Sequence, residues 1–337
     1  MKKMAWILSL AVAMALGGCS PSQPTATPTL PAPEEITLAM GYIPNVQFAP
    51  FYVAVEKGYF AEEGLAVQFD YGWETDLLKL VGTDELQFAV ASGDQVILAR
   101  SQGLPVVYVF NWYRRFPVCV VSLAEKGIEV PQDLAGRTVG IPAMYGASYI
   151  GWRALLDAVG MDETAVNLQA IGYTQVASLI EGLVDAAVCY AMNEPVQLRE
   201  QGYKVNVIYV ADYVNLVSNG LITNERTIAQ RPELVEGLVR AVQRGLEDTI
   251  AHPDQAFDIC LKHVPEIGGE NEVLQRAVLA ESLAFWRGEA LGRSDRAAWE
   301  ASQAFMRQIG LIEAEVEVET FFTNRFVTSP QGASTDR

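Results

Sequence analysis

The feature that most constrains the fold of this chain is an alternation of short apolar runs with segments of helical periodicity, which occurs twice. In the first set the predicted strands are 36–40, 66–71, 86–91 and 104–110. In the second set the predicted strands are 138–141, 166–171, 186–189 and 205–210. Such alternation is typical of parallel sheets with helices on both faces. We therefore predict an α/β fold with two sheets, one in each of two lobes.

The bounds of the two lobes follow from the places where the chain would leave and rejoin the first sheet. An apolar run at 117–123 lies at the point of exit, and Asn219–Asn224 lies at the return. The predicted helices are 74–81, 94–102, 146–159, 173–182, 193–201, a segment from Pro232 onward, 253–263, 271–287 and 295–309. We predict a discontinuous first lobe at 35–122 and 216–327, and a second lobe at 123–215.

The loop after the first predicted strand has the composition of a ligand-binding loop. It reads Gly41-Tyr42-Ile43-Pro44-Asn45 and opens a helix whose apolar face covers that strand. Ligands of open α/β sheets bind at the carboxyl ends of the strands. Pro44 stiffens the loop, Asn45 offers hydrogen-bond donors and acceptors, and Tyr42 and Phe48 offer apolar faces. These residues predict a site for a small aromatic molecule, and an ordinary strand-to-helix connection is the alternative interpretation.

The same stretch resembles a known family. Gly-Tyr-x-Pro-Asn is followed at 51–65 by Phe-Tyr-Val-Ala-x-Glu-Lys-Gly-Tyr-Phe-x-Glu-Glu-Gly-Leu. Further matching segments are Phe88-Ala-Val-Ala-Ser-Gly-Asp-Gln-Val, Ala99-Arg-Ser-Gln-Gly-Leu-Pro-Val, Asp133-Leu-Ala-Gly-Arg-Thr-Val-Gly and Asp185-Ala-Ala-Val. Over about residues 35 to 326 the chain resembles the substrate-binding proteins of ABC importers for thiamine precursors, alkanesulfonates, nitrate and riboflavin. It is most similar to the pyrimidine-precursor and riboflavin binders.

This resemblance implies a type II periplasmic-binding-protein fold, in which two lobes joined by a hinge hold the ligand in the cleft between them. It also implies a monomer that delivers its ligand to an ABC permease. Carried over residue by residue, the binding positions of the family fall on Tyr42 and Asn45, on 92–95, on 145–148 and on 193–194. The residues around Trp73 and Trp112 do not follow the pattern of the pyrimidine binders.

Composition and charge exclude several classes of protein. Half of the 337 residues are hydrophobic, which is enough for a large core in two domains. The net charge of −17 argues against nucleic-acid binding, because neutralising phosphates requires clustered Lys and Arg. The acidic residues are spread along the chain, and this distribution indicates solubility rather than a binding surface.

The amino-terminal residues have the pattern of a bacterial lipoprotein export signal. Lys2 and Lys3 precede an apolar stretch that ends in Leu16-Gly17-Gly18-Cys19, which matches a lipobox. We predict a signal peptide at 1–18, a lipidated Cys19, a flexible tether at 19–34 and an anchor on the extracytoplasmic face of the cell membrane. An uncleaved transmembrane anchor is the alternative, but the apolar run is shorter than the ~20 residues that a span needs. The polar tail at 328–337 is predicted to be disordered.

The other three cysteines are Cys119, Cys189 and Cys260. They are odd in number, far apart and without a Cys-x-x-Cys motif, so we interpret them as buried small hydrophobic residues rather than a disulfide framework. Cys260 and His263 share one helical turn, but a lone pair of potential ligands is a weak signal, and no metal site is predicted.

No sequence motif for catalysis is present. The chain lacks His-Glu-x-x-His, a Walker phosphate loop and a dinucleotide fingerprint. The run from Gly146 to Gly151 only resembles a nucleophile elbow, since its second glycine comes one residue late. A catalytic triad would need His252 or His263, and both are far from Ser148 in the sequence. No catalytic residue is therefore predicted.

Aromatic and amide side chains at the ends of the predicted strands remain as the candidate site. Any single aromatic residue could instead belong to the core, but five groups at equivalent strand ends of two lobes favour a ligand platform. The free backbone N–H groups at the start of the helix near Gly146 could hold a carbonyl or an anion. The predicted ligand-binding residues are Tyr42, Asn45, Phe48, Trp73, Ser92, Asp94, Gln95, Asn111, Trp112, Tyr145, Gly146, Ser148, Tyr190, Asn193 and Glu194.

These features predict the solute-binding component of an ABC importer. Riboflavin is the favoured cargo, ahead of a pyrimidine thiamine precursor, because the aromatic surface exceeds what one six-membered ring can use. No cofactor is predicted. The ligand should be neutral, since Asp94 and Glu194 have no nearby Lys, and Arg114 and Arg115 lie past the binding loop.

Two other classes of function agree less well with the sequence. Related chains synthesise a pyrimidine by sacrificing their own His and Lys, but the lipobox and the absence of any His before His252 count against an enzyme. A purely structural surface lipoprotein would not explain the polar and aromatic residues at the strand ends.

Overall fold

The computed structural model describes residues 32–328. The predicted signal peptide, Cys19, most of the predicted tether and the tail beyond residue 328 lie outside this range. The strands are β1 (Glu34–Gly41), β2 (Leu65–Gly72), β3 (Phe88–Ser92), β4 (Val106–Asn111), β5 (Val118–Leu123), β6 (Thr138–Ile141), β7 (Asn167–Ala170), β8 (Ala186–Tyr190), β9 (Val205–Tyr209) and β10 (Asn219–Asn224).

The helices follow the strands in the order that the sequence pattern predicts. They are α1 (Ala49–Glu56), α2 (Tyr59–Glu62), α3 (Glu74–Gly82), α4 (Gly93–Ser101), α5 (Gly146–Ala158), α6 (Gln175–Ile180), α7 (Glu194–Glu200), α8 (Glu225–Gln230), α9 (Pro232–Ala251), α10 (Pro253–His263), α11 (Glu272–Trp286) and α12 (Arg296–Gln308). Short 3-10 helices lie at Val46–Phe48, Ala124–Lys126, Pro131–Leu134, Glu163–Ala165, Val210–Asp212, Pro265–Ile267, Gly269–Asn271 and Val318–Thr320. None of the helices between residues 32 and 328 is both long enough and apolar enough to cross a membrane.

The strands form two five-stranded sheets, one in each lobe. The sheet of the first lobe has the order β2-β1-β3-β10-β4, and that of the second lobe has the order β7-β6-β8-β5-β9. Strands β1, β2 and β3 pair in parallel, as do β6, β7 and β8. The predicted α/β class with two sheets is therefore confirmed.

The sheets are mixed, which corrects the prediction of parallel sheets. Strand β10 lies antiparallel between β3 and β4, and β5 lies antiparallel between β8 and β9. Both are the first strands after the chain passes from one lobe to the other, so they enter their sheets from the opposite direction. Because β5 belongs to the second sheet, the predicted lobe boundary at residue 122 is wrong, and the first lobe ends before Val118.

Burial explains why the central strands read as continuous apolar runs. All residues of β3, β5 and β10 are buried, since helices or the partner lobe cover both faces of the sheets. The edge strand β7 is mostly exposed and carries polar side chains. The sequence indicates only a return connection at Asn219–Asn224, whereas this segment is a central strand of the first sheet.

Helix α1, which follows the predicted binding loop, is held in place by the long helix α9. The two helices approach so closely at Gly245 that a Cβ atom there would lie 2.1 Å from the carbonyl oxygen of Pro50. Pro50 is in the first turn of α1, so this contact fixes the end of the helix that leads back to the binding loop. A side chain at residue 245 would push α1 away from its position.

Gly245→Ala should therefore lower the free energy of unfolding by about 1–3 kcal/mol, because the added methyl group overpacks the interface between α1 and α9. Gly237→Ala, in the same helix, is the matched control. Its added Cβ would lie 3.3 Å from Cβ of Glu63, which is tight but far less severe than 2.1 Å, so the gain of about 0.5–1 kcal/mol in helix propensity should offset the contact and leave stability nearly unchanged. Urea unfolding measures both variants, and equal effects would contradict the close approach at Gly245.

Candidate functional site

A cleft lies between the two lobes, where the carboxyl ends of the strands meet the first turns of the helices. Its empty space is about 1120 Å³, including open solvent at the mouth, which matches the size of small-molecule sites. The first turns of α3, α4, α5 and α7 contribute to its wall. This is the position that the sequence predicts for the ligand.

The structure brings most of the predicted site residues together in this cleft. Residues from both lobes face each other across it. The predicted residues that line the cleft are Tyr42, Phe48, Trp73, Gln95, Trp112, Tyr145, Gly146, Ser148, Tyr190, Asn193 and Glu194.

Asn45 and Ser92 do not line the cleft, and each orients a residue that does. The Asn45 Oδ1 atom accepts hydrogen bonds from the backbone N and the side-chain Nε2 of Gln47, at 3.0 and 3.1 Å. The Ser92 hydroxyl donates to Oε2 of Glu74 at 2.6 Å. Both residues therefore act behind the cleft wall.

Asp94 and Asn111 also lie outside the cleft lining. The Asp94 Oδ2 atom accepts a hydrogen bond of 2.6 Å from Nε2 of Gln95, which is a lining residue. Asn111, at the end of β4, accepts a hydrogen bond of 3.0 Å from the hydroxyl of Tyr108. Sequence position next to a strand end placed both residues near the site but could not show which way their side chains point.

Gln47 lines the cleft although it is not among the ligand-binding residues predicted from the sequence. Its Nε2 donates to Oδ1 of Asn193 at 2.6 Å, and this bond joins the two lobes directly. Its Oε1 accepts a hydrogen bond of 3.0 Å from the hydroxyl of Tyr113. The sequence signal that could have identified Gln47 as a site residue is its position two residues after Asn45, beside the predicted binding loop. Ala147 also lines the cleft and lies within the segment 145–148 that the family resemblance implied. The other lining residues that were not predicted are Gly41, Gly72, Glu74, Thr75, Val90, Tyr113, Pro142, Ala143, Tyr173, Gln175, Cys189 and Asn219.

Asn219 connects the site to the crossing between the lobes. Its carbonyl oxygen accepts hydrogen bonds from the backbone N atoms of Trp112 and Tyr113, at 3.1 and 3.0 Å. Its side chain donates to Oε1 of Glu74 at 3.2 Å and accepts from the hydroxyl of Tyr190 at 3.4 Å. One residue thus touches both chain crossings and both walls of the cleft.

The inner part of the cleft is an aromatic floor. Trp112 is buried and packs against Phe48, Phe51 and Trp286, with ring centroids 5.6, 5.1 and 5.7 Å apart. Because these rings hold Trp112 on several sides, its position is set before any ligand arrives. The Trp112 Nε1 atom is buried and finds no hydrogen-bond partner within residues 32–328.

Three more aromatic rings lie at the mouth of the cleft. Trp73 of the first lobe stacks on Tyr173 of the second, with centroids 6.0 Å apart and an interplanar angle of 17°. Tyr145 meets the edge of Trp73 at 6.1 Å. All three side chains are more than half exposed, at 52–56%. They are therefore free to rearrange around a ligand, in contrast to the floor.

The charge of the cleft comes from carboxyl groups in the first turns of helices. Glu74 begins α3 and Glu194 begins α7, so each lies at the positive end of a helix dipole. Burial, and then the charge of Asp94, raises the pKa of Glu74 to about 7. Burial likewise raises the pKa of Glu194 to about 7. No Lys, Arg or His lines the cleft in the part of the chain that the structure describes.

Helix α5 presents an N-terminus of a different kind. Its first turn, Gly146-Ala147-Ser148, lines the cleft and carries no acidic side chain. Because the first N–H groups of a helix have no partner within it, this turn can donate hydrogen bonds to a carbonyl oxygen of a ligand.

The backbone is strained at Tyr42, at the entrance to the binding loop. Its φ of 142° is rare for a residue with a side chain. Its N–H donates to the carbonyl oxygens of Met40 and Gly72, at 3.0 and 3.1 Å, and these bonds hold the conformation. Such strain costs about 1–3 kcal/mol and is concentrated at ligand-binding sites.

The raised pKa of Glu194 predicts a pH dependence of stability. The folded state holds this proton more tightly than the unfolded chain, where the pKa is near 4.5. Its contribution is therefore complete below about pH 4.5 and is lost as the pH rises through about 7. Relative to Glu194→Gln, the wild type should lose at most about 3 kcal/mol of unfolding free energy over this range.

Urea unfolding from pH 4 to 8 measures this difference. Glu200→Gln is the matched control, because it removes an exposed carboxylate from the same helix. Parallel profiles for the wild type and Glu194→Gln would contradict a buried, proton-binding Glu194.

Comparison with known proteins gives similar chains that cover nearly the whole length. The sequence is 46% identical to "Riboflavin-binding protein RibY" of Chloroflexus aurantiacus, covering 97% of this chain and 98% of that protein. It is 31% identical to "Formylaminopyrimidine-binding protein" of Halalkalibacterium halodurans, covering 86% and 90%. It is 24% identical to "4-amino-5-hydroxymethyl-2-methylpyrimidine phosphate synthase" of Legionella pneumophila, covering 87% and 92%.

Solved structures confirm the predicted fold. The periplasmic aliphatic sulphonate binding protein SsuA from Escherichia coli superimposes with a TM-score of 0.71 at 13% identity, covering 85% of this chain and 96% of that one. The two-lobed periplasmic-binding-protein fold and the predicted family resemblance are therefore both confirmed. Residues 45–256 match the profile of the family described as "NMT1/THI5 like". The chain belongs to this NMT1/THI5-like family.

Proposed function

We propose that this protein is the solute-binding component of an ABC importer and that its ligand is riboflavin. The observation that carries the proposal is a cleft between two lobes that combines an aromatic floor and mouth with carboxyl and amide groups and has no cation among the described lining residues. The 46% identity to a riboflavin-binding protein supports the choice of ligand.

The aromatic surface suits a flat, three-ring isoalloxazine. The floor at Trp112 and the mouth at Trp73 and Tyr173 provide more ring faces than a single pyrimidine ring can use. A ring held between two others needs their planes about 7 Å apart. Trp73 and Tyr173 have centroids at 6.0 Å, so the lobes must open slightly to admit the ligand between these rings.

The unpaired polar atoms of the cleft match the polar groups of riboflavin. The buried Nε1 of Trp112 is a donor and the buried Oε2 of Glu194 is an acceptor, and neither has a partner among residues 32–328. The pyrimidine edge of isoalloxazine offers carbonyl acceptors beside an N–H donor, and the ribityl chain offers hydroxyl donors. The first turn of α5 supplies further N–H donors for a carbonyl oxygen.

The charges of the cleft favour a neutral ligand over a phosphorylated one. Glu74 and Glu194 occupy the starts of two helices that could otherwise hold an anion. Phosphate and sulfonate groups are bound through Arg, Lys or several N–H donors. Arg115 turns away from the cleft, where its guanidinium pairs with Asp212 and lies over the ring of Tyr209, 4.8 Å from its centroid.

A pyrimidine-synthesising enzyme of the same family is the second candidate, and we propose instead that this chain acts without catalysis. The sacrificial mechanism needs a histidine in the active site, and the chain has two histidines. His252 pairs with Asp248 on the surface, and His263 stacks on Tyr52 at 4.6 Å, so neither is a lining residue.

We further propose that the chain is exported and anchored through a lipid on Cys19, acts as a monomer and delivers its ligand to a membrane permease. The support is the lipobox Leu16-Gly17-Gly18-Cys19 in the sequence.

Riboflavin should lose its fluorescence on titration with the purified protein, and Trp73→Ala should weaken binding by about tenfold, or about 1.4 kcal/mol, because one aromatic face is lost. Tyr203→Ala, which removes an exposed aromatic ring away from the cleft, is the matched control and should bind like the wild type. Riboflavin 5′-phosphate should bind more weakly than riboflavin, because its negative phosphate is repelled by the partly ionised carboxyl groups of Glu74 and Glu194.

The same titration tests the alternatives. Binding of a formylaminopyrimidine without binding of riboflavin would overturn the choice of ligand. Riboflavin released by denaturation should be chemically unchanged, and a loss of mass at either histidine would favour the sacrificial enzyme.

Cys19→Ala should move the protein from the membrane fraction to the soluble fraction, because the acyl chains have no attachment site. Immunoblotting of fractionated cells measures the distribution. Ser20→Ala, which leaves the lipobox cysteine in place, is the control. Retention of the Cys19→Ala variant in the membrane fraction would contradict lipid anchoring.

A further inference from the structure

Two cysteine side chains face each other beneath the cleft. Cys119 on β5 and Cys189 on β8 are directly opposite in the antiparallel ladder, and their sulfur atoms are 3.5 Å apart. Both are buried. Their burial is predicted from the sequence, but their contact is not, because 69 residues separate them in the chain.

The positions of these residues suit a covalent bridge. Directly opposite residues of an antiparallel pair have Cβ atoms about 4.5–5.5 Å apart, and a disulfide joins Cβ atoms about 3.5–4.5 Å apart. Small rotations of the two side chains and a slight approach of the strands therefore bring the sulfurs from contact to bonding distance. Cys260 offers a comparison, since its Sγ lies 4.0 Å from the carbonyl oxygen of Val46 and contacts no other thiol among the described residues.

We propose that Cys119 and Cys189 form a disulfide in the exported protein, and that this bridge supports the wall of the ligand cleft. The proposal rests on the export proposed above, because disulfides persist in oxidising compartments outside the cytoplasm. Cys189 lines the cleft, and Tyr190, Asn193 and Glu194 follow it directly. A bridge at Cys189 therefore fixes the strand end from which these residues project.

The oxidant is a disulfide, either of a protein or of a small molecule. One cysteine thiolate attacks the oxidant's S–S bond, forms a mixed disulfide and releases one thiol. The second cysteine thiolate then attacks the mixed disulfide, forms the Cys119–Cys189 bond and releases the second thiol. The two cysteines lose two electrons and two protons, and the oxidant becomes two thiols.

The bridge forms before the second lobe is fully packed. Burial in the folded protein raises the pKa of the Cys189 thiol, so the reactive thiolate is suppressed once β5 and β8 are covered. The unfolded chain exposes both thiols to the oxidant. The bridge then closes a loop that contains β6, β7 and α5, and so restricts the unfolded state of most of the second lobe.

Peptide mapping of the full chain tests the bond directly. Protein isolated from the cell envelope is alkylated with N-ethylmaleimide in denaturant and digested with trypsin without reduction. The expected product is peptide 116–126 linked to peptide 154–199, with a mass two hydrogens below the sum of the two. Cys260 should be alkylated in the same sample. Alkylation of both Cys119 and Cys189 in the envelope-isolated protein would overturn the proposal.

Refolding in vitro separates this proposal from the proposed export and ligand. The full chain is denatured, reduced and refolded with a mixture of oxidised and reduced glutathione, and the same peptides are mapped. The linked pair should form here whether or not the cell exports the protein or the protein binds riboflavin. Failure to form it would overturn the bridge, while the results of fractionation and of riboflavin titration would be unaffected.

The effect on stability distinguishes a supporting bridge from an inert one. Reduction should lower the midpoint of thermal unfolding by roughly 5–10 °C, because the restriction on the unfolded chain is removed. Cys260→Ala, the matched control, should keep this sensitivity to reductant, and Cys119→Ala should lose it. A wild-type midpoint that does not change on reduction would overturn the supporting role.

Discussion

The arrangement of the lobes depends on the hydrogen bonds that hold the two chain crossings together at Asn219. The backbone of Trp112 and Tyr113 leaves the first lobe while donating to the carbonyl oxygen of Asn219, where the chain has just returned. The side chain of Asn219 reaches Glu74 and Tyr190, one on each wall of the cleft. Any change in the angle between the lobes must therefore preserve or rearrange these bonds. The hinge and the site share the same residues.

The second constraint is electrostatic. An α/β architecture directs helix N-termini toward its ligand, and their partial positive charge attracts anions. In this chain Glu74 and Glu194 occupy two of those termini. Glu74 accepts a hydrogen bond from the Ser92 hydroxyl, and Oε2 of Glu194 has no partner among the described residues. Burial raises the pKa of each carboxyl to about 7, so both are partly ionised at neutral pH and no described lining residue offsets their negative charge. This charge pattern is the physical basis for the proposal that the ligand is uncharged.

The aromatic residues divide into two groups with different physical roles. Trp112 and Phe48 are locked by neighbouring rings and form a rigid floor. Trp73, Tyr145 and Tyr173 are exposed and touch across the mouth, where they respond to opening and closing of the lobes. A count of aromatic residues in the sequence could not separate these groups, because their difference is one of burial.

The sequence by itself determined most of the elements and indicated which aromatic and amide residues could form the site. Hydrophobic periodicity depends only on neighbouring residues, so the bounds of the predicted elements agree with the observed bounds to within two residues. The helix predicted at 253–263 has identical bounds in the structure. The aromatic residues at strand ends were predicted for the same reason, because a strand end is visible in the local pattern.

Only the tertiary structure decided which of these residues meet. Pairing between distant segments places β10 between β3 and β4 and brings Gln47 into contact with Asn193. It also decides that Asn45, Ser92 and Asp94 lie behind the cleft wall and do not line the cleft. The contact of Cys119 with Cys189 depends on it as well. Local periodicity fixes which face of a segment is apolar, but the register between strands more than sixty residues apart is set by packing of the whole lobe.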